Sequence, residues 1–172
     1  MVEVAVARLG VDSATNSYVV ILREKGGFRM LPIWIGKPEA ESIVMQMNGV
    51  SSERPLTHDL CKALVTSLGG TLRQVSITRV HKSTYFAEVL IDRDGEIVQV
   101  DARPSDSIAI ALRCGAPIFV ESSLLNAVEA EDDAAADSNA FLETPPNEKM
   151  TTAQLKAYLE KLRPEDFGKF LP

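Results

Sequence analysis

The sequence predicts an α+β domain, a mixed β-sheet with covering helices. Three observations carry this. The first two-thirds alternate β-branched runs with turns containing Gly or Asp. Three stretches carry apolar residues at helical spacing. Two windows 66 residues apart share one order of three strands and a helix.

Taken in order, Val2–Val11 reads as a strand, as does Ser17–Arg23 with its Tyr18-Val19-Val20-Ile21-Leu22 run. Lys25-Gly26-Gly27 is a turn, and Phe28–Ile35 a third strand ending at Gly36. Lys37-Pro38-Glu39-Ala40-Glu41 opens a helix, because proline suits a first turn and acids complement the macrodipole. Ile43, Val44 and Met47 continue its apolar stripe, and Asn48-Gly49 ends it. After the Ser51–Pro55 loop, Thr57 is placed to cap a helix running to Leu68, with Leu60, Cys61, Leu64, Val65 and Leu68 as its buried face. Gly69-Gly70 stops it. Strands follow at Leu72–Val80, Thr84–Ile91 and Ile97–Asp101, the last two joined at Asp94-Gly95. Pro104–Arg113 is a helix ended by Cys114-Gly115, and Pro117–Glu121 a short final strand.

Lys37-Pro38 falls on Arg103-Pro104, Val44 on Ile110 and Gly49 on Gly115. Leu31 falls on Ile97, Trp34 on Val100, and Tyr18-Val19-Val20 on Thr84-Tyr85-Phe86. The order β-β-β-α is common and proline often opens helices. Agreement at both helix ends and in the strands nevertheless favours an internal duplication. Residues 1–125 form the predicted domain. Residues 126–150 are rich in Ala, Glu and Asp without an apolar period and read as an acidic linker or loop. Residues 151–172 read as a helical tail, with Thr151 or Thr152 as cap and Leu155, Tyr158, Leu159 and Leu162 on one face.

A length of 172 residues can bury a sizeable core without disulfides or metals. Cys61 and Cys114, both in apolar helical patterns, read as buried free thiols of a reducing compartment. No basic region followed by an apolar core opens the chain, and no apolar run approaches spanning length, so a cytoplasmic protein without a membrane partner is expected. Of a net charge of -6, residues 123–172 carry most, with 10 acids against 5 bases. The nearly neutral remainder lacks the electrostatic footprint of a strong nucleic-acid binder, though not a small basic patch. Long strands and the terminal amphipathic stretch point to a homo-oligomer.

The chemistry-bearing stretch is Asp101-Ala102-Arg103-Pro104-Ser105-Asp106-Ser107, where two carboxylates, a guanidinium and two hydroxyls meet at a strand-to-helix junction. Helix-opening backbone N–H groups lack internal partners there. Together with Leu31-Pro32-Ile33-Trp34-Ile35-Gly36, Glu39-Ala40 and Arg54-Pro55-Leu56-Thr57-His58-Asp59-Leu60, this junction resembles the bifunctional nuclease domain family of bacteria and plants. The likeness covers roughly residues 1–125. It implies hydrolysis of phosphodiester bonds in both DNA and RNA, with nucleic acid as partner.

A metal-dependent nuclease needs clustered carboxylates or histidine for Mg²⁺ or Mn²⁺, and a cation for transition-state charge. The acids near strand–helix junctions are Glu39, Glu41, Asp59, Asp101 and Asp106. One arrangement has Asp101 and Asp106 holding the divalent metal and Lys37, Arg54, Arg103 and Ser105 holding phosphate. His58, Asp59, Arg103 and Asp106 then form the catalytic set. The structural alternative is equally open. Asp106 can favour the helix dipole, Ser105 or Ser107 can bond free N–H groups, and Arg103 can bridge to Asp101 or Asp106. On that reading the chain is a non-catalytic ligand- or protein-binding regulatory domain. Glu39 and Glu41, two apart, read as solvated helix-start acids, His58 as a capping or hydrogen-bonding residue, His81 as a surface residue, and Trp34 as core or interface rather than a base-stacking platform. Zinc-ligand spacing, a phosphate-binding glycine loop and a nucleophile-elbow serine are all absent.

Overall fold

The computed structural model describes residues 1–12 and 15–127. The sequence-predicted tail helix and nearly all of the acidic linker lie outside the described residues. The chain runs β1 (Val2–Asp12), β2 (Ser17–Glu24), β3 (Arg29–Ile35), α1 (Lys37–Met47), α2 (Thr57–Ser67), β4 (Gly70–His81), β5 (Thr84–Arg93), β6 (Glu96–Ala102), α3 (Pro104–Cys114), β7 (Ile118–Val120) and β8 (Asn126–Ala127). All eight strands form one sheet in the order β6-β5-β4-β7-β1-β2-β3-β8. Every pairing is antiparallel except β4 with β7, so the sheet is mixed and the fold α+β, as the strand and helix patterning predicts.

The architecture is two antiparallel meanders, β1-β2-β3 and β4-β5-β6, each followed by an 11-residue helix that proline opens. β7 is the seam between them. It pairs Val2–Val4 on one side and Val75–Ile77 on the other. Two hairpin turns are built from residues in the left-handed region: Lys82-Ser83 between β4 and β5, and Asp94-Gly95 between β5 and β6. Register shifts at Val6/Arg8 in β1 and at Leu72/Gln74 and Ile77/Arg79 in β4 mark bulges, which bend the strands that carry them.

The core lies between the sheet and the helices. Val4, Val20, Leu22, Leu31, Val75, Ile77, Ala87 and Val120 project from the strands onto Ile43 of α1 and Ile108, Ala109 and Ala111 of α3. α3 is the central helix, packing on α1, α2, β4 and β5. Its small residues Ser105, Ser107, Ala109 and Ala111 allow that close approach. The cysteines are half-buried free thiols. Among the described residues no helix is long and apolar enough to cross a membrane.

Three expectations need correction. The leucines of α2 are not its buried face: Leu60, Leu64 and Leu68 are each more than half exposed, and His58 is the buried residue of that helix. Leu56, not Thr57, holds the cap position, and its N–H donates to Asp59 Oδ2 at 3.0 Å. Met47 of α1 is exposed, and that helix buries Ala40, Ser42, Ile43 and Met45 instead. In α1 only the last residue of the stripe outruns the layer beneath it, whereas α2 turns His58, Cys61 and Val65 toward the protein and leaves its leucines beside them in solvent.

Candidate active site at the helix junction

Arg103, the residue before Pro104, sits where β6 gives way to α3 in extended backbone (φ -71°, ψ 143°). Proline enforces this, since it disfavours helical geometry in the residue before it. Arg103 is thereby turned outward, its side chain 67% exposed, and it grips two acids. Its Nε donates to Asp106 Oδ2 at 2.7 Å, and Nη2 donates to Asp106 Oδ1 at 3.1 Å and to Glu39 Oε1 at 2.7 Å. Glu39 comes from the first turn of α1, so this contact joins the two proline-opened helix starts across 64 residues of sequence. The Glu39 side chain is only 13% exposed, which corrects the expectation of a solvated acid.

Behind Asp106 lies His58, 8% exposed. Its Nε2 is 3.1 Å from Asp106 Oδ1 and its Nδ1 2.7 Å from Ser42 Oγ. In the neutral ring that carries its proton on Nε2, Nε2–H donates to the carboxylate and Nδ1 accepts from the Ser42 hydroxyl. Ser42, from α1, is buried, so the chain Ser42–His58–Asp106 runs from the interior outward. Burial pushes the Asp106 carboxyl up, but hydrogen bonds from Arg103 and His58 outweigh it and hold the group below the ordinary aspartate value. The Arg103 guanidinium is correspondingly raised by Asp106 and Glu39.

A second ion pair supports this one from below. Arg113, 7% exposed in the last turn of α3, donates through Nε to Asp59 Oδ1 at 2.6 Å, through Nη1 to Ala109 O at 2.9 Å and through Nη2 to Ser42 O at 3.3 Å. Burial raises Asp59, while Arg113 and the Leu56 N–H more than reverse it, leaving that carboxyl below its ordinary value. Arg113 thus ties α3 to α1 and α2 together, with its charge matched and most of its donors used.

Above Arg103 opens a cleft of about 360 Å³ lined by Ser17, Trp34, Gly36, Tyr85, Arg103 and Ser105 among others. β3 and β5 both contribute, although five strand spacings separate them in the sheet. A flat sheet would hold them roughly 24 Å apart. One cleft takes residues from the end of β3, the start of β5 and the start of α3, so the sheet is curved rather than flat.

The bifunctional nuclease domain matches residues 20–133, two-thirds of this chain and nearly all of the described site. The chain belongs to the bifunctional nuclease domain family. An uncharacterized protein of Mycobacterium tuberculosis is 39% identical, over 97% of this chain and 98% of its own. Bifunctional nuclease 1 and Bifunctional nuclease 2 of Arabidopsis thaliana are 35% and 36% identical over 66% and 64% of this chain. This chain spans about a third of those plant proteins' length, 36% and 35%. Within the family's domain the structure brings His58, Arg103 and Asp106 to one junction together with Glu39, with Ser105 lining the adjoining cleft; Asp59 is instead tied to Arg113 in the last turn of α3.

Lys37 stands apart from that cluster, 3.8 Å from Glu41 on the exposed side of α1. Arg54 is exposed in the connection before α2 and forms no ion pair among the described residues. Asp101 is exposed on β6 opposite Glu88 and shares no hydrogen-bond partner with Asp106. No group of three or more His, Cys, Asp or Glu among the described residues is arranged to hold a metal ion. The acids that do converge are already gripped, Glu39 and Asp106 by Arg103 and Asp59 by Arg113. The donor set therefore does not fit a ready-made divalent-metal site.

Sequence reasoning missed Ser42 and Arg113. Both carry a weak signal, a polar residue inside an apolar helical stripe. Arg113 follows four residues after Ala109 on the buried face of α3, where an unpaired guanidinium would be prohibitive.

Proposed function

We propose that this chain hydrolyses phosphodiester bonds of DNA or RNA at the Glu39–Arg103–Asp106 junction. The carrying observation is a guanidinium two-thirds exposed at the floor of an open cleft, held by two carboxylates of which one is backed by a buried histidine. The nuclease names of the plant relatives support the reaction class. Arg103, pre-oriented by its two acids through Nε and Nη2, keeps Nη1 to donate to a phosphate and to stabilise the charge that develops on it. Asp106, held ionised, accepts a proton from a water that attacks phosphorus, while the bond from phosphorus to the leaving sugar oxygen breaks and that oxygen takes a proton from solvent. His58 faces Asp106 with both ring nitrogens engaged, so it acts through Asp106 as a positioning residue. Lys37 and Arg54 are outlying phosphate contacts on this reading. Glu39 is a partner of Arg103. No step is assigned to a divalent ion.

The second reading, a non-catalytic ligand- or protein-binding regulatory domain, draws on one observation. Each converging carboxylate is bridged to an arginine, as in a structural lock. A homo-oligomer fits either reading, given the exposed Leu60, Leu64 and Leu68 of α2 and the exposed Ile97, Val98 and Val100 of the edge strand β6. The experiment that separates the readings is cleavage of labelled single- and double-stranded oligonucleotides by purified wild type, Asp106→Asn and Arg103→Ala. Each is run with Mg²⁺, with Mn²⁺ and with chelator. Hydrolysis reduced roughly 100-fold or more in both variants, with melting temperatures near wild type, supports the enzyme. Equal rates in all three proteins mark a contaminant and leave the binding module.

A further inference from the structure

We infer that Trp34 is a base-stacking subsite beside Arg103, and that it makes the cleft selective for single-stranded over duplex nucleic acid. The substrate class rests on the nuclease reading above; the subsite rests on three observations. First, Trp34 is not core: it is 55% exposed near the C-terminal end of β3, between buried Ile33 and half-buried Ile35. Strand alternation places it on the face opposite Ile33, beside the buried Val19 of β2, with which it pairs. A half-exposed indole is unusual for so large an apolar side chain, and it forgoes the stabilisation that burial would bring. Second, the ring is not loose. Its Nε1–H donates to Asp12 Oδ2 at 3.1 Å, which satisfies the only polar atom of the indole and leaves ring surface as what it offers to a ligand. Third, Trp34 shares one cleft of about 360 Å³ with Tyr85, Arg103 and Ser105. That volume lies at the small end of ligand pockets, suited to one nucleotide rather than to a helix of paired strands.

These pieces have complementary chemistries. A nucleotide presents a flat base and, one sugar away, an anionic phosphate. The cleft's lining includes Trp34, Tyr85 and the arginine. Stacking on an aromatic side chain is sequence-tolerant because every base has a π-face, but a paired and stacked base in a duplex cannot offer it. Single strands and frayed ends can. The acids around Arg103 leave little net positive charge at the junction, so stacking supplies affinity that electrostatics does not.

Trp34 is the chain's only tryptophan, so its fluorescence reports on this subsite alone. The test titrates the full chain with a short phosphorothioate-linked oligothymidylate, which resists cleavage, and with its duplex. Saturable quenching by the single strand and little by the duplex is the expected result. By anisotropy of the labelled single strand, Trp34→Ala should weaken binding roughly 5- to 150-fold, the range that loss of one stacked base spans, and Trp34→Phe should recover most of it. Equal quenching by both forms, or none, overturns the inference. So does a fluorescence change that follows protein concentration without nucleic acid, together with a smaller particle for Trp34→Ala, which would make Trp34 a contact between copies. Binding is read without turnover. Quenching without hydrolysis therefore sinks the nuclease reading alone, and hydrolysis without quenching sinks this subsite alone.

Discussion

α2 and α3 are the same length, and in the sequence each carries an apolar stripe between a capping signal and a glycine stop. In the fold they have opposite fates. α3 buries Pro104, Ser105, Ser107, Ile108, Ala109, Ala111 and Arg113; α2 buries His58 alone and shows Leu60, Leu64 and Leu68 to the outside. Position in the helical layer accounts for this. α3 lies between α1 and α2 and against β4 and β5, whereas α2 rests on α3 and β4 at the margin. A stripe reports that a helix has a side to offer. Which side is covered depends on how many neighbours the layer supplies. The helix with many neighbours is the one with small residues, because only those let three elements approach at once.

The contrast can be tested from its strongest consequence down. Ile108→Ala empties a fully buried site at the centre of the layer and should cost about 2–5 kcal/mol in chemical denaturation. A loss under about 1 kcal/mol would mean that α3 is not the packed centre. Next comes acid. Asp59 and Asp106 both titrate below the ordinary aspartate value in the folded chain, so their ion pairs stabilise fully above that value. That stability is lost as pH falls from 3.8 through the depressed folded values. Unfolding free energy measured against pH should drop across that window, and the drop should shrink in Asp59→Asn. A curve unchanged by that substitution would show that the Arg113–Asp59 tie contributes nothing. The smallest effect is expected from Leu64→Ala, below about 1 kcal/mol, because half of that side chain is already in solvent. A cost matching Ile108→Ala would reveal that something covers the α2 leucines.

The same contrast explains what was legible. Strands, turns and the helix starts at Lys37-Pro38 and Arg103-Pro104 follow from local chemistry, and the structure places them as the sequence predicts. An Arg103 bridge to Asp101 or Asp106 was legible, and the structure makes it to Asp106, three residues along the helix start. What local pattern could not supply was tertiary. Glu39 is 64 residues from Arg103, and His58 is 48 from Asp106. Ser42 and Arg113 are polar residues whose partners exist only once three helices converge. Trp34, expected in the core or at an interface, is half exposed and lines the cleft, so it is not core.

Ile118–Val120 is the shortest contributor to the middle of the sheet and the last of its inner strands to leave the ribosome. Until it emerges, β1 and β4 each present a bare edge of unpaired backbone groups, the kind of edge that recruits other chains. Synthesis must therefore pass residue 120 before the two meanders can be stitched into one sheet. A product cut short of it would be two sticky half-sheets, tethered only through their helices.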